Sequence, residues 1–120
     1  MPLVYILDDS FELLDMYQLI FTLHNFDCVT SYNKPEFLNL LKNKKPDIIL
    51  LDVMLGGEDG REICKELKQD NNYKDIPVIL ISANAKNLTN YEDFSADGIS
   101  EKPFNVKELI EKVNSLLPAN

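Results

Sequence analysis

Four groups of polar residues in this 120-residue chain each stand directly behind an apolar run. Asp8-Asp9 follow Leu3–Leu7, Asp52 follows Ile48–Leu51, Ser82 follows Val78–Ile81, and Glu101-Lys102-Pro103 follow Gly98–Ser100. If the runs are parallel strands, these groups meet at one rim, where open α/β sheets bind their ligands. Carboxylates gathered there repel one another by about 4 kcal/mol per close pair at an effective dielectric near 20, a cost that folding alone does not justify. A positive charge is therefore expected among Asp8, Asp9 and Asp52. Oxygen ligands with room for water suit Mg²⁺, and Lys102 can add a fixed positive charge. Taken singly, each group is ordinary. Asp9 or Ser10 would cap the next helix, Ser82 and Lys102-Pro103 would be turns, and Gly56-Gly57 with Asp59-Gly60 a flexible loop. Their joint placement behind four separate runs is what points to a site.

Apolar runs of strand length recur five times, at Leu3–Leu7, Cys28–Ser31, Ile48–Leu51, Val78–Ile81 and Gly98–Ser100. Longer stretches with helical spacing separate them, which predicts βα units around a parallel sheet. The first, third and fourth runs are nearly continuous Val, Ile and Leu, as central strands covered on both faces should be. The other two belong nearer the edges. Asn33 with Glu36 and Asn105 with Glu108 predict capping boxes ahead of the stripes Phe37, Leu38, Leu41 and Leu109, Val113, Leu116. Phe11, Leu14, Gln18 and Phe21 sample one face of a first helix, and Ile63 with Leu67 give a shorter stripe to the third. The stretch from Asn87 to Phe94 has few apolar residues and is the weakest helix on the chain. Pro118-Ala119-Asn120 should end the last helix.

Composition narrows the function. Twenty acidic against twelve basic residues give a formal charge of −8, which opposes attraction to nucleic acid or anionic lipid, so direct DNA binding is not expected. No apolar run approaches the ~18 residues of a membrane span and Met1-Pro2-Leu3 lacks a basic signal region, so no membrane insertion and a cytoplasmic location are expected. Cys28 and Cys64 have no metal spacing and read as reduced, structural thiols.

The chain resembles the receiver domain of bacterial two-component response regulators over essentially its whole length. The residues that carry the likeness are Asp8-Asp9, Asp52-Val53-Met54 with Asp59-Gly60, Ser82-Ala83, and Ala96-Asp97-Gly98 leading to Lys102-Pro103-Phe104. The resemblance implies one receiver domain over residues 1–120, of the single-domain, chemotaxis-regulator-like kind; the lack of a repeat, a linker or a low-complexity tract sets the expectation of no tethered output domain. It implies a flavodoxin-like (βα)5 fold, a doubly wound five-stranded parallel sheet in the order 2-1-3-4-5. Asp52 would take a phosphoryl group from a histidine kinase or phosphotransfer protein. Asp9, Asp52 and the backbone carbonyl of Met54 would ligate Mg²⁺, with Asp8 holding a bound water behind them. Lys102 and Ser82 would contact the phosphoryl oxygens, and the Lys102-Pro103 bond would be cis and aim the ammonium inward. Beyond making and losing its own acyl phosphate the protein would be no enzyme, and it would signal by binding a downstream protein or relaying the phosphoryl group. The apolar start of the first helix, Phe11-Glu12-Leu13-Leu14, would partly face the kinase.

Three positions depart from the family pattern. Gly56 replaces a common Pro four residues after Asp52, which predicts a looser loop. Ile99 replaces the aromatic three residues before Lys102, so the usual aromatic gate is not expected. Met54 and Asn84 flank the phosphoryl position and would tune its lifetime. Two other readings compete: a Mg²⁺-dependent phosphatase working through an aspartyl phosphate, and a receiver-like binding module that accepts no phosphate. The first lacks a second Asp two residues beyond Asp52, and the second leaves a complete set of acceptor groups unexplained.

Overall fold

The computed structural model describes residues 1–118. Five strands, β1 (Leu3–Leu7), β2 (Asp27–Ser31), β3 (Ile48–Asp52), β4 (Val78–Ser82) and β5 (Gly98–Glu101), form one parallel sheet in the order β2-β1-β3-β4-β5. Three α-helices, α1 (Phe11–Leu23), α2 (Lys34–Asn43) and α3 (Gly60–Lys68), connect the first four strands, and a fourth, α4 (Val106–Leu116), follows β5. The alternation of runs predicts these βα units around a parallel sheet, and their order is the doubly wound, flavodoxin-like one that the resemblance implies. Strands β1, β3 and β4 are buried along their whole length, whereas β2 and β5 at the edges are only partly covered.

Side chains alternate across a strand, so each central strand feeds two cores. Tyr5 and Leu7 join Ile49, Leu51 and Leu80 under Phe37, Leu41, Ile63 and Leu67 of α2 and α3. Val4 and Ile6 join Ile48, Leu50 and Ile79 under Leu14, Phe21, Leu109 and Val113 of α1 and α4. Burial on both faces is what requires near-continuous apolar strands. The carboxyl ends of all five strands therefore open on one rim.

The caps follow the sequence with small differences. Asn33 Oδ1 accepts from the Glu36 amide at 2.9 Å and Asn105 Oδ1 from the Glu108 amide at 3.1 Å. Glu36 does not close a reciprocal box on Asn33 but accepts from the Tyr32 amide one residue earlier. Pro118 follows the last helix as expected; Ala119 and Asn120 lie outside the described residues.

Two expectations are corrected. On α1 the buried residues are Leu14, Tyr17, Ile20 and Phe21, while Gln18 faces solvent and Phe11 is 65% exposed. Phe11 opens the helix at the sheet's rim, beyond the strand surface that the later turns cover, and packs instead on Tyr32 with ring centroids 5.1 Å apart. The fourth crossover is not an α-helix but two 3-10 turns, Ala85–Leu88 and Tyr91–Phe94, closed by Ser95 in the left-handed region. Asn87, Thr89, Asn90 and Asp93 are poor helix formers, and of the eight residues in the two turns only Leu88 is buried, so little packing energy is available to override propensity.

Candidate functional site

Strand β1 delivers Asp8 and Asp9 to the rim, β3 delivers Asp52, and the loop after β5 brings Lys102 over them. Lys102 Nζ donates to Asp8 Oδ2 at 2.8 Å and to Asp52 Oδ2 at 2.9 Å, joining residues 94 and 50 positions apart. The second oxygen of each carboxylate is held by backbone: Asp8 Oδ1 accepts from the Ser10 amide at 2.9 Å, and Asp52 Oδ1 from the Met54 amide at 3.2 Å. Ser10 is also the cap of α1, its hydroxyl accepting from the Leu13 amide, so Asp9 is released from capping and stays exposed at the mouth. The Lys102 loop is anchored by its own amide on the Ser82 carbonyl and by Phe104, whose ring stacks on Tyr17 at 5.3 Å. Its Lys102-Pro103 peptide is cis.

The electrostatics express a crowded acidic site. Asp8 and Asp52 are 1% and 6% exposed and share one ammonium, which leaves a net charge of −1 inside before Asp9 adds its own. Burial pushes the Asp52 carboxyl above its ordinary value, with the charge of Asp8 adding to the rise, against the opposing pull of Lys102 and the Met54 amide. Burial works against the charge on Lys102, but its bonds to Asp8 and Asp52 outweigh it and hold the ammonium above its usual range. Carboxylate oxygens of Asp8, Asp9 and Asp52 lie within 4.8 Å of one another. An all-oxygen set with one exposed member fits a hard divalent cation that keeps part of its water.

Ser82 is fully buried at the end of β4, one strand over from Asp52. Its Oγ accepts from the Asn84 amide at 3.1 Å and from Asn87 Nδ2 at 3.3 Å. Asn87 went unnoticed in the sequence, where nothing marks an Asn five residues after a strand. Asn84 itself caps the first 3-10 turn through the Lys86 amide, and it is exposed. Met54 turns its side chain outward, 63% exposed, beside the acceptor.

The loop after Asp52 is a closed structure, not the loose one expected from Gly56. Met54–Leu55 pair antiparallel with Glu58–Asp59, and Gly56 supplies the positive φ of +60° that the tight reversal needs. Asp59 caps α3 through the Arg61 amide and is clasped by the Arg61 guanidinium, which holds its carboxyl below the usual carboxylate range. Arg61 in turn lies 5.3 Å from the ring of Phe94 in the second 3-10 turn. Gly60 donates its amide to the Val53 carbonyl at 2.8 Å and presses its backbone on Asp52. Asp59-Gly60 thus ties the start of α3 to the strand end that carries Asp52.

Two further features border the site. A groove of about 490 Å³ is lined by Leu13, Met16, Ala83, Pro103, Phe104 and Val106, with Lys102 on its wall. On the far side Ile99 is half-buried on β5, and its carbonyl accepts from Lys112 Nζ of α4. Cys64 is buried and donates to the Phe94 carbonyl, and burial pushes both its thiol and that of Cys28 up to about 12, as inert structural cysteines require. No described helix is long and apolar enough to cross a membrane.

Residues 4–114 match the response regulator receiver domain family. The phosphate regulon transcriptional regulatory protein PhoB of Pseudomonas aeruginosa is 29% identical over 116 residues, covering 95% of this chain and 51% of that protein. The chain therefore spans about half the length of this curated relative. Among solved structures, the receiver domain of the Francisella response regulator 1452 is 29% identical with a TM-score of 0.86, covering 97% of this chain and 96% of that one. Response regulator protein TrrA of Thermotoga maritima, solved in complex with Mg²⁺ and BeF, is 26% identical with a TM-score of 0.88, covering 98% of this chain and all of that one.

Proposed function

The chain belongs to the response regulator receiver domain family of two-component signalling, and from that premise we propose that residues 1–120 form one receiver domain that carries a phosphoryl group on Asp52. The observation that carries this reading is the single ammonium of Lys102 shared by Asp8 and Asp52 at 2.8 and 2.9 Å beneath an open rim. A carboxylate oxygen of Asp52 attacks the phosphorus of a phosphohistidine on a partner kinase or phosphotransfer protein. The P–O bond forms as the P–N bond breaks, and the bonding pair leaves on the imidazole nitrogen. Attack by water at phosphorus, or by a second histidine, later restores the carboxylate.

The chain's own groups position this transfer and neutralise its charge, which is most of what phosphoryl transfer asks of a protein. Lys102 pairs with a phosphoryl oxygen while still tied to Asp8. Ser82 donates its hydroxyl to another. Asp9, Asp52 and the Met54 carbonyl would hold Mg²⁺, with Asp8 acting through a bound water. When bound, the ion supplies positive charge to the phosphoryl oxygens; the Mg²⁺ and BeF complex of the Thermotoga relative supports that assignment.

The partner kinase docks on the groove of Leu13, Met16, Phe104 and Val106, which adjoins Lys102 and is apolar, as a helical surface bearing the phosphohistidine would require. A downstream protein reads the segment from Ser82 to Phe94. The acidic balance of the chain argues against DNA as its direct ligand and fits a cytoplasmic partner protein.

Acetyl phosphate with Mg²⁺, followed by intact mass measurement, tests the reading. One phosphoryl group should appear on the wild type and none on Asp52→Asn. An unlabelled wild type, or stoichiometric label elsewhere in the variant, would overturn it.

A further inference from the structure

We propose that Asn87 is a positioning residue that aims the Ser82 hydroxyl at the phosphoryl group, by occupying with its own amide the lone pair that Asn84 leaves free. The assignment rests on the reading above, in which Ser82 donates to a phosphoryl oxygen. A serine hydroxyl has one hydrogen to give and two lone pairs to receive. Here both lone pairs face donors, the Asn84 backbone amide at 3.1 Å and Asn87 Nδ2 at 3.3 Å. Neither nitrogen can accept, so the hydroxyl hydrogen is turned away from both. Among the described residues no group takes it.

A free hydroxyl rotates to suit whatever surrounds it, and an accepting neighbour would draw its hydrogen away from an incoming oxygen. Two donors on the same oxygen remove that choice before any phosphoryl group arrives, so the hydroxyl need not rotate when charge develops, even where the segment that carries it moves.

Asn87 is held for this role at both ends. Its backbone amide donates to the Asn84 carbonyl at 3.0 Å, closing the Ala85–Leu88 turn, and the next residue, Leu88, is 2% exposed and anchored in the core. Asn84 Oδ1 caps the same turn through the Lys86 amide at 3.0 Å. Both donors on Ser82 thus belong to one small unit. Asn87 also lines, with Met54 and Arg61, a cavity of about 300 Å³ beside the acceptor strand.

The near-isosteric variant Asn87→Asp separates this role from a merely structural one. A carboxylate can only accept, so it would take the Ser82 hydrogen and present lone pairs to the phosphoryl oxygens. Beryllofluoride, standing in for the phosphoryl group with Mg²⁺ saturating, is titrated into the wild type, Asn87→Ala, Asn87→Asp, Ser82→Ala and the two double variants, followed by backbone amide NMR. Asn87→Asp should weaken beryllofluoride by about tenfold and more than Asn87→Ala, the scale of one hydrogen bond to a charged group. In the Ser82→Ala background neither change should matter, whereas simple repulsion by the new charge would persist there. The Asn87 side-chain amide resonances should also move on Ser82→Ala without any beryllofluoride. A wild type that binds no beryllofluoride overturns both this assignment and the phosphoacceptor reading. A wild type that binds normally, with Asn87→Asp and Asn87→Ala equal or with effects that survive Ser82→Ala, overturns the Asn87 assignment alone.

Discussion

A Cβ built on Gly60 would lie 2.0 Å from the backbone carbonyl oxygen of Asp52, closer than any side chain can approach. The first residue of α3 is therefore seated directly on the acceptor strand, with its amide on the Val53 carbonyl. The contact is backbone on backbone, so neither side can yield by turning a rotamer. Any side chain at Gly60 would push α3 away from the strand end that carries Asp52.

Gly60→Ala should therefore cost about 3 kcal/mol, the upper range for forcing one methyl into a packed site, and should slow labelling of Asp52 by acetyl phosphate. Urea denaturation and a labelling time course measure the two effects. A variant as stable as the wild type would mean that α3 slides away from β3 freely.

Without metal, Asp52→Asn should be more stable than the wild type by about 1 kcal/mol at neutral pH, the usual scale of a single substitution. The variant leaves one ammonium facing one buried carboxylate, Asp8, in place of two. The raised Asp52 value sets the pH dependence: the folded protein holds that proton more tightly than the unfolded chain, whose value is near 3.8. The wild type is thus favoured below that value and loses ground as pH rises through the folded one. The advantage of Asn should appear above this window and vanish below it, and Mg²⁺ should stabilise the wild type more than the variant. A denaturation midpoint that falls in the variant at neutral pH would count against a crowded acidic site.

Leu13 lines the apolar groove beside Lys102. Leu13→Asp should lower phosphotransfer from a partner histidine kinase at least ~10-fold, as loss of an interface anchor does, and leave acetyl phosphate labelling intact. Equal loss of both would show a damaged fold.

Ile99 sits half-buried on the edge strand with its carbonyl bound by Lys112, and a β-branched side chain has restricted χ1 freedom there. Beryllofluoride should give large amide shifts from Ser82 to Phe94, where the two 3-10 turns have one buried anchor, Leu88, and only small changes in the Ile99 methyls. Methyl NMR showing Ile99 changing rotamer in step with Ser82 would refute a switch confined to that segment.

Much of this protein was legible in one dimension. Strand runs, their burial on both faces, the caps at Asn33 and Asn105 and the polar groups behind each run all follow from neighbours in the chain, because periodicity and capping act over a few residues. Parallel pairing then carries Asp8, Asp9, Asp52, Ser82 and Lys102 to one rim without further information. Tertiary structure alone decided what each atom there touches. Phe11 had a core residue's spacing but stands past the strand ends, and a weak helical stretch became two 3-10 turns because it lacked a face to bury. Gly60 passed for a flexible residue and proved to be a fixed contact, while Asn87 carried no signal at all. These outcomes depend on distances between segments that the chain separates widely, such as the 94 residues between Asp8 and Lys102, and no local pattern of residue types encodes which oxygen meets which donor once they arrive.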